Sequence, residues 1–102
     1  MAVVRVAPVP LLRGTVQVPP DKSLTHRALL FAAIGDREVA IRRPLDSEDT
    51  GATLALVEAC RVPVTGAMGD EVRVSGRGLR GLRPSPHLDC ANAGTLMRLA
   101  TG

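Results

Sequence analysis

The period of the apolar positions changes several times along the chain, and each change marks an element. Val3–Val6 is a short β-prone run. Gly14 turns the chain into Thr15–Val18, which alternates apolar and polar residues as a strand does. Pro19-Pro20 ends that run and forms a stiff joint, because no helix passes through such a pair. Asp21 or Ser23 then caps a predicted helix that runs to about Ile34 and is closed by Gly35. Leu24, Ala28, Phe31 and Ala32 make its stripe. Leu29, Leu30, Ala33 and Ile34 make its second half apolar all round, which predicts a buried helix.

Glu38–Arg42 reads as a half-buried strand with Val39 and Ile41 on one side, and Pro44 ends it. Asp46 or Ser47 caps a second helix over about Glu48–Ala59, with Ala52, Ala55, Leu56 and Ala59 as its stripe. Val62–Val64 and Glu71–Ser75 read as a hairpin around Gly66–Asp70. A connection rich in Gly, Pro and Arg covers Gly76–Pro86. Asn92-Ala93-Gly94-Thr95 then opens a last helix through Leu99. Strands alternating with helices predict an α/β chain of α+β layers. No internal repeat or low-complexity segment interrupts this order.

Composition narrows the function. The chain has 102 residues and a hydrophobic fraction of 45%, enough for one small ordered domain. Phe31 is its single aromatic residue, and the formal charge is +3 without a polybasic run. A nucleic-acid surface is therefore not expected, since it needs a basic cluster and stacking rings. A modest positive balance suits small anionic substrates. Cys60, Cys90, His26 and His87 match no metal spacing, so the cysteines read as structural thiols. No secretory leader opens the chain and no apolar run is long enough to span a membrane, which makes the cytoplasm the expected location. Of the 13 basic Lys and Arg residues, only Lys22 is a lysine. In a chain that otherwise uses arginine, this position is a candidate for a compact, flexible ammonium.

Two segments carry candidate chemistry. Asp21-Lys22-Ser23-Leu24-Thr25-His26-Arg27 follows the double proline. Ser23 and Arg27, four apart, share one helix face. Lys22 and Ser23 sit at the helix start, where free N–H groups and the dipole favour an anion. Ammonium, hydroxyl and guanidinium thus converge within one turn, which suits phosphate or carboxylate. An ordinary capped helix with surface charges has the same spacing. In the second segment, Leu88–Arg98, Asn92 can cap a helix, Gly94 allows close backbone approach, Thr95 adds a hydroxyl and Arg98 follows one turn later. A plain Asn-capped helix also fits. Neither segment has Walker order, and Gly-x-Gly-x-x-Gly and Gly-x-Ser-x-Gly are absent. The acidic cluster Asp46, Glu48, Asp49 is explained by capping and the helix dipole.

Pro19-Pro20-Asp21-Lys22-Ser23-Leu24-Thr25-His26-Arg27-Ala28 resembles the N-terminal signature of the 5-enolpyruvylshikimate-3-phosphate (EPSP) synthase family. Leu88–Leu99 resembles its second signature, Asn-Ala/Ser-Gly-Thr-x-x-Arg, and Arg43–Thr50 matches as well, including the acid at Asp49. The three matches occur in the family's order. One departure is Ala91, where many members carry glycine.

The resemblance implies a site. Lys22 is its expected catalytic residue and contacts both substrates; Ser23 and Arg27 hold shikimate 3-phosphate. Gly94 lines the phosphoenolpyruvate site, supported by Asn92, Thr95, Asp49 and Arg98. It also implies enolpyruvyl transfer with release of phosphate, no metal or redox cofactor, and a monomeric enzyme. The implied fold is a two-domain inverse α/β barrel with substrates between the domains. Residues 1–20 would be strands of the lower domain, with a hinge at Pro19-Pro20, and 21–102 would begin the upper domain. Family members are several times longer, so a fragment without turnover of its own is expected, with a native start at Met1 and a non-native end. The related UDP-N-acetylglucosamine enolpyruvyl transferase fits the Ser23/Arg27 and Asn92–Arg98 patterns poorly. A non-catalytic anion-binding module is the alternative from a different class.

Overall fold

In the computed structural model, the described residues are 2–83, 86–91 and 94–102. The elements run α1 (Lys22–Ile34), β1 (Glu38–Arg42), α2 (Glu48–Ala59), β2 (Val64–Gly66), β3 (Glu71–Ser75) and α3 (Gly94–Ala100). The sheet has the order β1-β3-β2 and is antiparallel at both pairings. It forms one layer of an α+β arrangement. α1 is the hub, packed against α2, α3, β3 and β1.

Local chemistry sets the boundaries. Asp21 is the cap of α1, and its carboxylate accepts the Leu24 N–H at 2.8 Å. Ser47, not Asp46, caps α2. Its hydroxyl accepts the Thr50 N–H at 3.2 Å while Thr50 Oγ1 accepts the Ser47 N–H at 3.0 Å, a reciprocal capping box. In β3, Val72 and Val74 are fully buried and lie opposite Ile41 and Val39 of β1. They join Leu29, Ala32, Ala33, Leu56, Val57 and Leu96 in the core.

Both helices are rotated from the faces their apolar residues predict. In α1 the buried positions are Thr25, His26, Leu29, Ala32 and Ala33, whereas Leu24 and Phe31 are exposed. In α2 they are Thr50, Thr53, Leu56 and Val57, whereas Ala55 and Ala59 are exposed. The reason is polar pairing. Thr25 Oγ1 donates to the Asp21 carbonyl at 2.7 Å and accepts the Leu45 N–H at 3.1 Å. Thr50 Oγ1 donates to the Leu45 carbonyl at 2.6 Å. Hydroxyls satisfied in this way can be buried without the penalty of a lost hydrogen bond. They knit the starts of α1 and α2 to the loop between them.

Neither Val3–Val6 nor Thr15–Val18 forms a strand. Residues 2–20 are exposed throughout, Val3, Val4, Val6 and Val16 each at more than 80%. A β-prone run becomes a strand only when another edge satisfies its N–H and C=O groups, and no described strand lies beside this one. The extended arm also accounts for a radius of gyration of 17.2 Å, against about 13 Å for a compact 100-residue domain.

Gly76 closes the layer. Its N–H donates to the Arg37 carbonyl at 3.0 Å, and the next N–H, of Arg77, reaches the Ala33 carbonyl at 3.0 Å at the end of α1. A methyl group at Gly76 would collide with the backbone carbonyl oxygens of Gly35 and Ala32. Gly76→Ala is therefore expected to destabilise the chain by about 1–3 kcal/mol, the scale of overpacking against groups that cannot rotate away. Urea unfolding of the two proteins measures this difference.

Candidate functional site

Lys22, Ser23 and Arg27 all lie in the first turn and a half of α1, with Ser23 and Arg27 on one side of the helix. Lys22 Nζ lies 3.1 Å from Asp49 Oδ2 in the first turn of α2, with side-chain exposures of 52% and 24%. Asp49, read from the sequence as a helix-dipole group, is thus also the partner of the only lysine, 27 residues away. An exposed pair of this kind adds only about 0–1 kcal/mol to stability, so its interest is where it holds the ammonium. Arg27 Nη1 donates to the Ser23 carbonyl at 3.1 Å, which folds the guanidinium back towards the helix start. Ser23 is exposed. The start of α1 thus carries an exposed ammonium, hydroxyl and guanidinium, groups each suited to an anion.

Beneath this face lies His26, fully buried. Its Nδ1 is 2.5 Å from Thr53 Oγ1, and Thr53 Oγ1 reaches the Asp49 carbonyl at 3.4 Å. Among the described residues, Nε2 is buried without a partner. Burial holds the imidazole below its ordinary value of 6.5; the Asp49 carboxylate opposes that shift, and the Lys22 and Arg27 cations add to it. The folded chain therefore binds the His26 proton less readily than the unfolded chain. The corresponding stability is fully present above pH 6.5, the ordinary value, and is lost as the pH falls from there through the lowered folded value. Urea midpoints measured from pH 7.5 downwards should show this loss, with a slope no steeper than about 1.4 kcal/mol per pH unit for one proton. The His26 contribution to that slope should vanish in His26→Asn.

The second segment is only partly joined to the first. α3 packs on α1 and buries Leu96. Gly94 and Arg98 are exposed and Thr95 is half-buried. Among the described residues, no hydrogen bond or ion pair links Gly94, Thr95 or Arg98 to Lys22, Ser23 or Arg27. The expected cap Asn92 lies outside the described residues. Ala91 sits at φ 50, the left-handed region that favours glycine, with its N–H donated to Asp89 Oδ1 at 2.8 Å.

Sequence reasoning missed Thr25, Thr50, Thr53 and His26 as the frame of the site. The signal was weak, since Thr25-His26 lies inside the first signature but only long-range packing pairs it with Thr53. An apolar groove of about 380 Å³ runs farther along α1, lined by Leu30, Phe31, Ile34, Leu82 and Leu99, and Arg27 is the one candidate site residue on its wall. Burial raises the Cys60 thiol above its ordinary value, which makes it less reactive. Among the described residues, no group of three His, Cys, Asp or Glu side chains is placed to hold a metal ion. No described helix is long and apolar enough to cross a membrane.

The described residues thus form an α+β layer whose first helix starts with exposed cations. Residues 6–102 match the family model described as EPSP synthase (3-phosphoshikimate 1-carboxyvinyltransferase), and the chain belongs to that family. It is 45% identical over 92 residues to the 3-phosphoshikimate 1-carboxyvinyltransferase of Syntrophotalea carbinolica, covering 89% of this chain and 21% of the relative. The Thermus thermophilus protein of the same name is 45% identical over 98 residues, covering 96% and 23%. A solved EPSP synthase from Acinetobacter baumannii superposes with a TM-score of 0.76 at 37% identity, over 86% of this chain and 20% of that one. The chain thus spans about a fifth of the length of these relatives. Its fold is a part of the inverse α/β barrel of that family.

Proposed function

We propose that this chain is the leading part of an enzyme that transfers the enolpyruvyl group of phosphoenolpyruvate to the 5-hydroxyl of shikimate 3-phosphate and releases phosphate. The observation that supports the reading is that Lys22, Ser23 and Arg27 are all exposed in the first turn and a half of α1, within a segment that belongs to the EPSP synthase family. Lys22 serves as the catalytic cation and touches both substrates. Ser23 and Arg27 bind the phosphate of shikimate 3-phosphate. Gly94 lets the phosphoenolpyruvate approach the backbone closely, with Asn92, Thr95 and Arg98 around it, and Asp49 holds Lys22 in place. Preorganised cations stabilise the charge that develops on the transferred group and the departing phosphate. Residues 1–20 belong with a lower domain, hinged at Pro19-Pro20, and 21–102 begin the upper domain. The enzyme acts in the cytoplasm as a monomer.

Phosphate release by the complete enzyme, measured with shikimate 3-phosphate and separately with UDP-N-acetylglucosamine, tests the reading. Turnover with the shikimate alone is expected; turnover with the UDP-sugar alone overturns it. Arg27→Ala in the same enzyme should weaken binding of shikimate 3-phosphate by about 1.5–3 kcal/mol, the scale of a hydrogen bond to a charged group. Calorimetry checks this value, and binding of phosphoenolpyruvate serves as the internal comparison.

A further inference from the structure

His26 has no role in the chemistry described above, yet it is a fully buried polar side chain one residue from Arg27. Its two nitrogens are unequal: Nδ1 faces Thr53 Oγ1 at 2.5 Å, and Nε2 has no partner among the described residues. Buried orphan N–H groups are rarer than under-used acceptors. The favoured tautomer therefore carries its proton on Nδ1, donates it to Thr53, and leaves Nε2 as a bare lone pair. Thr53 is then free to donate its own proton to the Asp49 carbonyl, 3.4 Å away. The donors point in one direction, from His26 through Thr53 to Asp49, and the side chain of Asp49 ends on Lys22 Nζ at 3.1 Å.

We propose that His26 is a positioning residue that sets the Lys22–Asp49 pair by holding the first turn of α2 through the Thr53 hydroxyl. The proposal builds on the functional reading above for its consequence, since the ammonium so placed is the cation offered to substrate. α1 carries both Lys22 and His26, so this link fixes the ammonium and its carboxylate partner relative to one helix. Thr25 and Thr50 hold the loop between the helices; the His26–Thr53 contact joins α1 to α2 and, through Thr53 Oγ1, to the carbonyl of Asp49 itself.

Lys22 is the only lysine in the chain, so a single side chain reports on the pair. An acylating ester is reacted with the complete enzyme, and the peptide that carries Lys22 is quantified by mass spectrometry, apart from every other amine. His26→Leu and Thr53→Val remove the link with little change in volume. Each should speed Lys22 acylation roughly fivefold, the scale of losing a modest exposed ion pair. His26→Asn keeps a donor near the Nδ1 position and Thr53→Ser keeps the hydroxyl, so both should react at the wild-type rate. Val74→Ala, in the core away from this link, serves as the stability control. Acylation of the Leu and Val variants within about twofold of wild type, or equal acceleration by Val74→Ala, overturns the proposal. In the complete enzyme, His26→Leu should raise KM for the phosphorylated substrate, with rescue by His26→Asn. Absence of turnover by the complete wild-type enzyme would overturn the functional reading instead, while Lys22 acylation still decides the positioning role.

Discussion

Replacing Lys22 by arginine is expected to lower turnover of the complete enzyme by about a hundredfold, the scale of a catalytic group displaced by around an ångström, although the charge is kept. The structure gives a specific reason. Lys22 meets Asp49 through a single Nζ–Oδ2 contact of 3.1 Å and keeps 52% of its side chain exposed. An ammonium held on one side still has donors for an incoming anion. A guanidinium is longer and planar, and carboxylates favour it in bidentate fashion. At this position it would lie across Asp49 and turn its donors away from substrate. kcat should therefore fall more than affinity for either substrate, and Lys22→Ala should be worse still. Steady-state kinetics of both variants, with calorimetry for binding, makes the check. Near-normal turnover by Lys22→Arg would mean that a cation of any shape suffices there.

The sequence showed the elements far better than their faces. Asp21, Gly35, Pro44 and Ser47 punctuate the chain through local chemistry, so the limits of α1, β1 and α2 are readable from neighbours alone. The buried sides of the helices are not. Counting apolar residues placed Leu24 and Phe31 inward, but Thr25 and His26 take those places, and Thr50 and Thr53 do the same in α2. Thr25 and Thr50 are buried because the backbone around Leu45 satisfies them, and His26 and Thr53 satisfy each other, a relation between residues 27 apart that no local period reveals. The Lys22–Asp49 pair has the same separation and was hidden for the same reason.

The candidate site divides along that line. Ser23 and Arg27 are legible because one helical turn brings them together, and Lys22 because it opens the helix; both are properties of the sequence. Residues 3–6 and 15–18 show the opposite case. Their alternation is a true strand signal, but a strand is a relation between two segments, and these runs remain exposed without a neighbouring edge.

The 102-residue chain alone is expected to show no turnover, even with both substrates saturating. Lys22, Ser23 and Arg27 lie on an open face, where water screens each contact with an anion. The groove of about 380 Å³ is apolar and lies along α1, away from the helix start, so it offers no enclosed seat for two anionic substrates. In the proposed reaction, proton transfer from the 5-hydroxyl needs a base within hydrogen-bond reach. Of the carboxylates at the two helix starts, Asp21 caps α1 and Asp49 is engaged by Lys22, while Asp46 and Glu48 are exposed and hold no defined partner among the described residues. The arm of residues 2–20 presents Val3, Val4, Val6, Val9, Leu11 and Leu12 to water, an arrangement that calls for a further surface to cover it. Since the relatives are about five times longer, a second wall has room to supply cover, base and exclusion of water together. Weak binding of phosphate at the start of α1 should persist, because that depends on local charge alone. The decisive measurement is phosphate release by the purified chain beside the complete enzyme. Activity within about a hundredfold of the complete enzyme, a deficit of only ~2.7 kcal/mol in barrier, would show that one wall is a sufficient catalyst.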